Sequence, residues 1–273
     1  MSALSALYRR YLRVLGIEGE PAGLDGLRLL VRRHVRRVPF ENVSKLLLYA
    51  REGAGRPIEL GEFLDGIEQF DLGGTCHSNN PFLAELLRHL GYDADLHGAD
   101  MSKPNVHTCI RVRVDGVAYH VDVGYGGPFR APMRLHRLPY EFQEGSLRYV
   151  LSPNRREDAH EMSVVAGGER RHGYIVHGPP RSREFFEPAV RDSFAPGRTF
   201  MSCLRLVRIF DEHSVELVDR SLVVRRGAET RQTDLDDRAA LKAALADELE
   251  MPRCPIDAAL DILEQLNGKP LFP

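Results

Sequence analysis

The chain has 273 residues, a formal net charge of −2 and a mean hydropathy of −0.30. With 43% hydrophobic and 28% charged residues it has the composition of a soluble globular protein large enough for two or three subdomains. The near-neutral charge gives no reason to expect nucleic acid as a partner, and no apolar run approaches the length of a membrane span.

Residues 1 to 90 read as mainly helical. The opening segment, Met1 to Arg10, lacks the apolar core of a signal peptide. Tyr8, Tyr11, Leu12 and Leu15 form one helical stripe ending at Gly16, and Leu24 to Val38 form another ending at Pro39. Arg28, Arg32, Arg33, Arg36 and Arg37 on that second helix read as a solvated face, with help in holding an anionic cofactor as the lesser option. Residues 60 to 69 suggest a third helix. Phe82, Leu83, Leu86, Leu87 and Leu90 mark a fourth, with Pro81 in its first turn and Gly91 as its stop. Thr75, Ser78 and Asn79 are its candidate N-caps.

Cys76 follows Gly73-Gly74-Thr75 at the entry to that helix. Unpaired N–H groups and the positive end of the helix dipole favour a thiolate there. Taken alone, Cys76 reads as a small buried hydrophobe; the glycine pair and the helix entry make a reactive thiol an equal reading. The four cysteines, Cys76, Cys109, Cys203 and Cys254, contain no C-x-x-C pair, so neither a structural zinc nor a disulfide scaffold is expected. A reduced, cytoplasmic setting is the expectation, with no metal.

Residues 105 to 124 form the next informative stretch. Asp115-Gly116 between two alternating runs signals a two-residue hairpin in which Val114 faces Val117. Counting outward, Cys109 faces Asp122 and His107 faces Gly124. His107 and Asp122 are then diagonal neighbours on one face, their Cβ atoms roughly 7–8 Å apart. The other face, Thr108, Ile110, Val112, Val114, Val117, Tyr119, Val121 and Val123, is a core face by alternation. Arg111, Arg113 and His120 share the His107 side, which predicts a wet surface there. Singly, His107 reads as a cross-strand histidine and Asp122 as a strand-end cap. Together with a thiol at a helix entry they supply a nucleophile, a base and a base-orienter.

From 92 to 190 the chain shows short strands broken by turns, among them 147–151, 162–165 and 174–176, the pattern of a barrel or curled sheet. The last part reads as strands over 204–210, 215–218 and 222–224, then helices over 236–250 and 256–266. Gly124-Tyr125-Gly126-Gly127 is a turn whose backbone phosphates could approach, although most such turns are only turns.

Several segments together resemble the arylamine N-acetyltransferases over nearly the full length. They are Val38-Pro39-Phe40-Glu41-Asn42, Gly73-Gly74-Thr75-Cys76 with Asn80, His107 followed by Asp122-Val123-Gly124-Tyr125-Gly126, and Pro196 to Phe200. The resemblance implies an α+β fold with a cysteine-protease-like core. Its parts would be an N-terminal helical bundle (1–90) carrying the nucleophile, a central β-barrel (91–195) carrying the histidine and aspartate, and a C-terminal α/β lid (196–273). It implies that Cys76 takes an acetyl group from acetyl-CoA and passes it to an arylamine, arylhydrazine or N-hydroxyarylamine. His107 would be the base and Asp122 its orienter. Phe40, Tyr125 and Phe200 would line the acceptor pocket, and the turn with Gly124, Gly126 and Gly127 would lie near the coenzyme. The chain departs from the family's pattern at three places. Leu72 replaces an arginine, which leaves Glu41 to pair with Lys45 or Arg37; Ser78 replaces a glutamate or glutamine; Arg198 replaces a serine. These departures keep open an amide synthase of the same fold that uses another acyl thioester. Papain-like hydrolysis and a non-enzymatic scaffold are the remaining readings, and the motif context fits hydrolysis poorly.

Overall fold

A computed structural model describes residues 3–156 and 158–272. The N-terminal third is helical, with α1 (Ala3–Val14), α2 (Gly23–Arg37), a two-residue strand β1 (Phe40–Glu41), α3 (Val43–Glu52), α4 (Leu60–Phe70) and α5 (Cys76–His89). The stripe read from the sequence is the buried one: Tyr11, Leu12 and Leu15 enter a core with Leu27, Leu30, Phe63 and Phe82. The arginines of α2 point to solvent and meet Asp25, Asp211 and Glu250 in exposed ion pairs.

The central part holds β2 (Asp93–Asp100), β3 (His107–Val114), β4 (Val117–Val121), β5 (Met133–Arg134), β6 (Tyr140–Glu144), β7 (Leu147–Pro153), β8 (His160–Ala166) and β9 (Glu169–Val176). They pair in the order β5-β4-β3-β2-β9-β8-β7-β6, an eight-stranded sheet curled into a nearly closed barrel. The predicted hairpin register is present, with Val114 opposite Val117 and Arg111 opposite His120. Its turn residues, Asp115 and Gly116, both have positive φ (50° and 75°), as a tight two-residue hairpin requires. On one face of the hairpin Ile110, Val112, Tyr119 and Val121 join the helical core under α5.

The opposite face differs from the expectation. Arg111 and Arg113 near the turn do reach solvent, but His120 is 1% exposed. The physical reason is closure of the barrel. The curl lays Tyr174 of β9 and His160 of β8 over the His107 side, inside a second core with Cys109, Met162 and Val176. A single hairpin read alone carries no information about what folds over it.

The remainder comprises α6 (Glu187–Asp192), α7 (Thr199–Ser202), β10 (Arg205–Ile209), β11 (His213–Val218), β12 (Ser221–Arg226), β13 (Glu229–Asp234), α8 (Arg238–Asp247) and α9 (Ile256–Asn267). The second sheet runs β1-β10-β11-β12-β13, so the Phe40-Glu41 segment from the helical part pairs with β10, Phe40 opposite Val207. Phe40 also bridges to Gly74, one residue before Thr75. That short strand therefore ties the nucleophile loop to the C-terminal sheet. No helix is long and apolar enough to cross a membrane among the described residues.

Candidate active site

Cys76 is the first residue of α5, after Thr75 as N-cap, so the helix begins five residues before Pro81. The reading of Pro81 as a first-turn residue is thereby corrected. The two residues before Pro81 use their side chains to tie the helix start to its surroundings: Asn79 donates to Gly74 O (2.9 Å), and Asn80 donates to Thr108 O (2.6 Å). Cys76 is 7% exposed, with Sγ 4.0 Å from Val106 O.

His107, at the start of β3, places Nε2 2.8 Å from Asp122 Oδ2, with the Cys76 thiol close enough to help raise its pKa. Burial works against the imidazolium, but the Asp122 carboxylate and the Cys76 thiol outweigh it and raise the His107 pKa. Burial likewise works against the Asp122 carboxylate; His107 and the donors around it overcome that and hold the pKa low. The reason is visible in the donors. Oδ1 accepts from Asn80 Nδ2 (2.9 Å) and from Gly124 N (2.9 Å), and Oδ2 accepts from His107 and from the Tyr174 hydroxyl (2.7 Å). A buried carboxylate with both oxygens doubly hydrogen-bonded stays ionised. An ionised Asp122 keeps one His107 proton on Nε2, and the raised pKa favours the imidazolium that results when the ring takes the thiol proton.

The framework around these three side chains is tight. Thr108 Oγ1 donates to Cys76 O (2.7 Å), and Asn80 Oδ1 accepts from Val123 N (2.8 Å). A Cβ on Gly124 would lie 2.6 Å from Cys76 Cα and 2.8 Å from Asn80 Nδ2. Gly124 is therefore glycine because the nucleophile's own backbone occupies the space. Gly124→Ala should destabilise the fold by about 1–3 kcal/mol and lower turnover together. Parallel measurement of Tm and activity checks this, and an unchanged Tm would contradict it.

The aromatic residues cluster around the imidazole. The Tyr125 ring stands edge-on to His107 at 5.5 Å, stacks on Phe129 at 5.7 Å, and its hydroxyl bonds His172. Phe40 meets Phe200 edge-to-face at 5.6 Å. Gly126, with φ 77°, approaches the Phe40 ring, where a Cβ would sit 3.3 Å from the ring. Gly127 packs against Phe129. The turn thus threads between the two aromatic groups. Asn42 holds the Phe200 side in place: its Nδ2 donates to Phe200 O (3.0 Å) and Cys203 O (2.6 Å), and its Oδ1 accepts from Arg205 N (2.7 Å).

The departures from the family pattern resolve locally. Leu72 is 5% exposed and joins the C-terminal core. Glu41 pairs with neither Lys45 nor Arg37. It accepts instead from Ser44 N (2.8 Å) and Gly73 N (3.1 Å), while burial raises its pKa. Main-chain donors stand in for the missing arginine, which no residue spacing would reveal. Arg198 forms an exposed ion pair with Asp192 at 2.6 Å. Lys45 is 8% exposed and lines a cavity of about 60 Å³ with Ser44, Arg56, Thr75, His77 and Ser78. Its ammonium meets the Ser193 hydroxyl and the Phe194 ring face (3.8 Å), not a carboxylate. Burial lowers the Lys45 pKa to about 7, against a smaller upward pull from Cys76. The penalty for its charge is fully present below about pH 7 and is lost as pH rises towards 10.5. Lys45→Met should therefore stabilise the protein at neutral pH by about 1–3 kcal/mol, with the gain shrinking towards pH 10. Thermal melts across that range check it, and a destabilised variant would contradict it.

Of the residues that hold the site, Tyr174, Thr108 and His120 carry no local sequence signal, because their roles arise from strands meeting across the barrel. Asn80 stands in the motif, but its spacing does not show that it joins α5 to both hairpin strands.

Known proteins resemble this chain in sequence and in fold. The family model described as N-acetyltransferase matches residues 23–252. The arylamine N-acetyltransferase of Mycolicibacterium smegmatis is 28% identical over 249 residues, covering 86% of this chain and 88% of the relative. The arylamine N-acetyltransferase of Nocardia farcinica superposes with a TM-score of 0.78 at 25% identity, covering 94% of this chain and 92% of the other. The Mycobacterium marinum enzyme, solved in complex with CoA, shares the fold with a TM-score of 0.79 at 22% identity, covering 95% and 99% of the two chains. The chain belongs to the N-acetyltransferase family, as a divergent member related to the arylamine N-acetyltransferases.

Proposed function

We propose that the protein transfers an acetyl group from acetyl-CoA to an arylamine, arylhydrazine or N-hydroxyarylamine by way of an acetyl-Cys76 intermediate. The observation that carries this reading is the orientation of His107. Its Nε2 is committed to Asp122 at 2.8 Å, which leaves Nδ1 for the thiol that helps raise its pKa. Family membership supports acetyl transfer as the reaction, and the CoA complex of the M. marinum relative supports the donor.

In the first half-reaction His107 takes the Cys76 proton and the sulfur attacks the thioester carbon. The carbon–sulfur bond to CoA breaks, and His107 returns the proton to the departing thiolate. In the second, the amine nitrogen attacks the acetyl carbon, the bond to Cys76 breaks, and the amine proton passes through His107 to the sulfur. Asp122 stays ionised throughout and stabilises the imidazolium. Phe40, Tyr125 and Phe200 offer flat apolar surfaces suited to an aromatic acceptor. Gly124, Gly126 and Gly127 serve by leaving space, Gly124 for the nucleophile and Gly126 for the Phe40 ring, on the side where the coenzyme would approach.

Initial rates with acetyl-CoA and an arylamine varied together test the scheme. Parallel double-reciprocal lines are expected, because the donor product leaves before the acceptor reacts. Intersecting lines would contradict it.

A further inference from the structure

The hydrogen bonds at Asp122 do not end with Tyr174. His120 Nε2 lies 2.9 Å from the Tyr174 hydroxyl, and His160 Nε2 lies 3.1 Å from His120 Nδ1. The three side chains are 1%, 0% and 4% exposed for His120, Tyr174 and His160. A continuous row therefore runs from His107 through Asp122, Tyr174 and His120 to His160, across the barrel interior.

We infer that His120, backed by His160, is a positioning residue for the Cys76, His107 and Asp122 set: it fixes the Tyr174 hydroxyl as a donor to Asp122. The inference rests on the acyl-transfer reading for its purpose but on the hydrogen-bond geometry for its content.

Hydrogen-bond polarity fixes the direction of the row. A neutral imidazole has one donor and one acceptor nitrogen, and a phenol has one donor. Burial lowers the pKa of His120 to about 4, with the carboxylate of Asp122 pulling it up and His107, His97 and Arg111 pushing it down. Burial also lowers His160, with His120, Arg111 and His97 adding to the shift. Both rings are therefore neutral at working pH. Only two arrangements of the row are then self-consistent. In one, His160 Nε2–H donates to His120 Nδ1, His120 Nε2–H donates to the Tyr174 oxygen, and Tyr174 donates to Asp122. In the other every bond reverses, and the lone pairs of the Tyr174 oxygen face an ionised Asp122 Oδ2 at 2.7 Å. That second state is repulsive, so the ionised carboxylate selects the first. Conversely, the first state spreads the Asp122 charge towards Tyr174 and limits how firmly it holds the His107 proton.

The other groups facing this row are Cys76 and His77 from α5, His97 from β2, Cys109 and Arg111 from β3 and Tyr125 from the glycine turn. None of them hydrogen-bonds the Tyr174 oxygen among the described residues, so His120 alone sets its direction there.

Ring-nitrogen NMR on the intact, substrate-free protein tests this. His120 is expected as the neutral Nε2–H tautomer; an Nδ1–H tautomer would overturn the inference without any variant being made. In His120→Leu the Tyr174 oxygen loses its donor, more charge stays on Asp122, and the titration of His107 is expected to move up by about half a pH unit. His120→Gln, whose side-chain N–H can reach the same oxygen, is expected to restore it. A folded His120→Leu protein with His107 titrating as in the parent would overturn the proposal. Because no substrate enters the experiment, failure here leaves the acyl-transfer scheme intact, and failure of that scheme leaves this result readable.

Discussion

Cys76→Ala is expected to abolish acetyl transfer, with turnover down by about 10⁴-fold or more, while the fold survives. In this scheme the Cys76 sulfur carries the acyl group between the two substrates. His107 and Asp122 have no nucleophile to serve without it. The side chain is small, and alanine fits the same space at the first position of α5, so thermal melting should change little. Cys76→Ser is expected to be nearly as inactive, because His107 is poised for a thiol and leaves a serine hydroxyl protonated at neutral pH. Steady-state rates with either variant check this. Turnover within tenfold of the parent would mean that the acyl group never rests on Cys76.

Asp122→Asn is expected to lower kcat/KM by about 10³–10⁴-fold and to destabilise the protein as well. All four partners of the carboxylate are donors: Asn80, Gly124, His107 and Tyr174. An amide has one acceptor oxygen. If its NH₂ replaces Oδ1, it faces Asn80 and the Gly124 N–H. If it replaces Oδ2, it faces His107 and Tyr174, and the imidazole must move its proton to the nitrogen that Cys76 needs. Each buried donor left unpaired costs about 1–3 kcal/mol. The pH dependence has a definite sign. Asp122 is held below the ordinary carboxylate range, so its contribution is present above that range and is lost as pH falls through its folded value. His107 is held above the ordinary imidazole range, so the same pair contributes fully below that range and is lost as pH rises through the raised value. Asp122→Asn should therefore flatten the stability profile at both ends. Melting curves from acid to alkaline pH measure it, and a variant with the parent's profile would show that the pair is not ionised.

Much of this site was legible because it rests on local rules. Asp115-Gly116 fixed the hairpin register, and the register set His107 and Asp122 on one face, where they meet at 2.8 Å. The glycine pair and the helix entry placed Cys76 correctly, although the helix starts earlier than Pro81 implies. What escaped the sequence depends on tertiary closure. α3 was not expected, because Leu46-Leu47-Leu48-Tyr49 shows no clear period and Asn42 spends its side chain on Phe200, Cys203 and Arg205 instead of capping the helix. β13 was missed because all six of its residues are exposed, so it carries no alternation. His120 was expected in water because nothing in residues 105–124 shows that β8 and β9 fold over it. Glu41 was expected to need a cation because backbone donors leave no trace in residue type.

Brief incubation with acetyl-CoA and no acceptor, followed by intact-protein mass of the parent and of Cys76→Ala, tests the central claim most directly. The parent should gain the mass of one acetyl group and release an equal amount of free CoA thiol, and Cys76→Ala should gain nothing. Equal labelling of both proteins, or turnover of an arylamine by a parent that never shows the adduct, would contradict an acetyl-Cys76 intermediate.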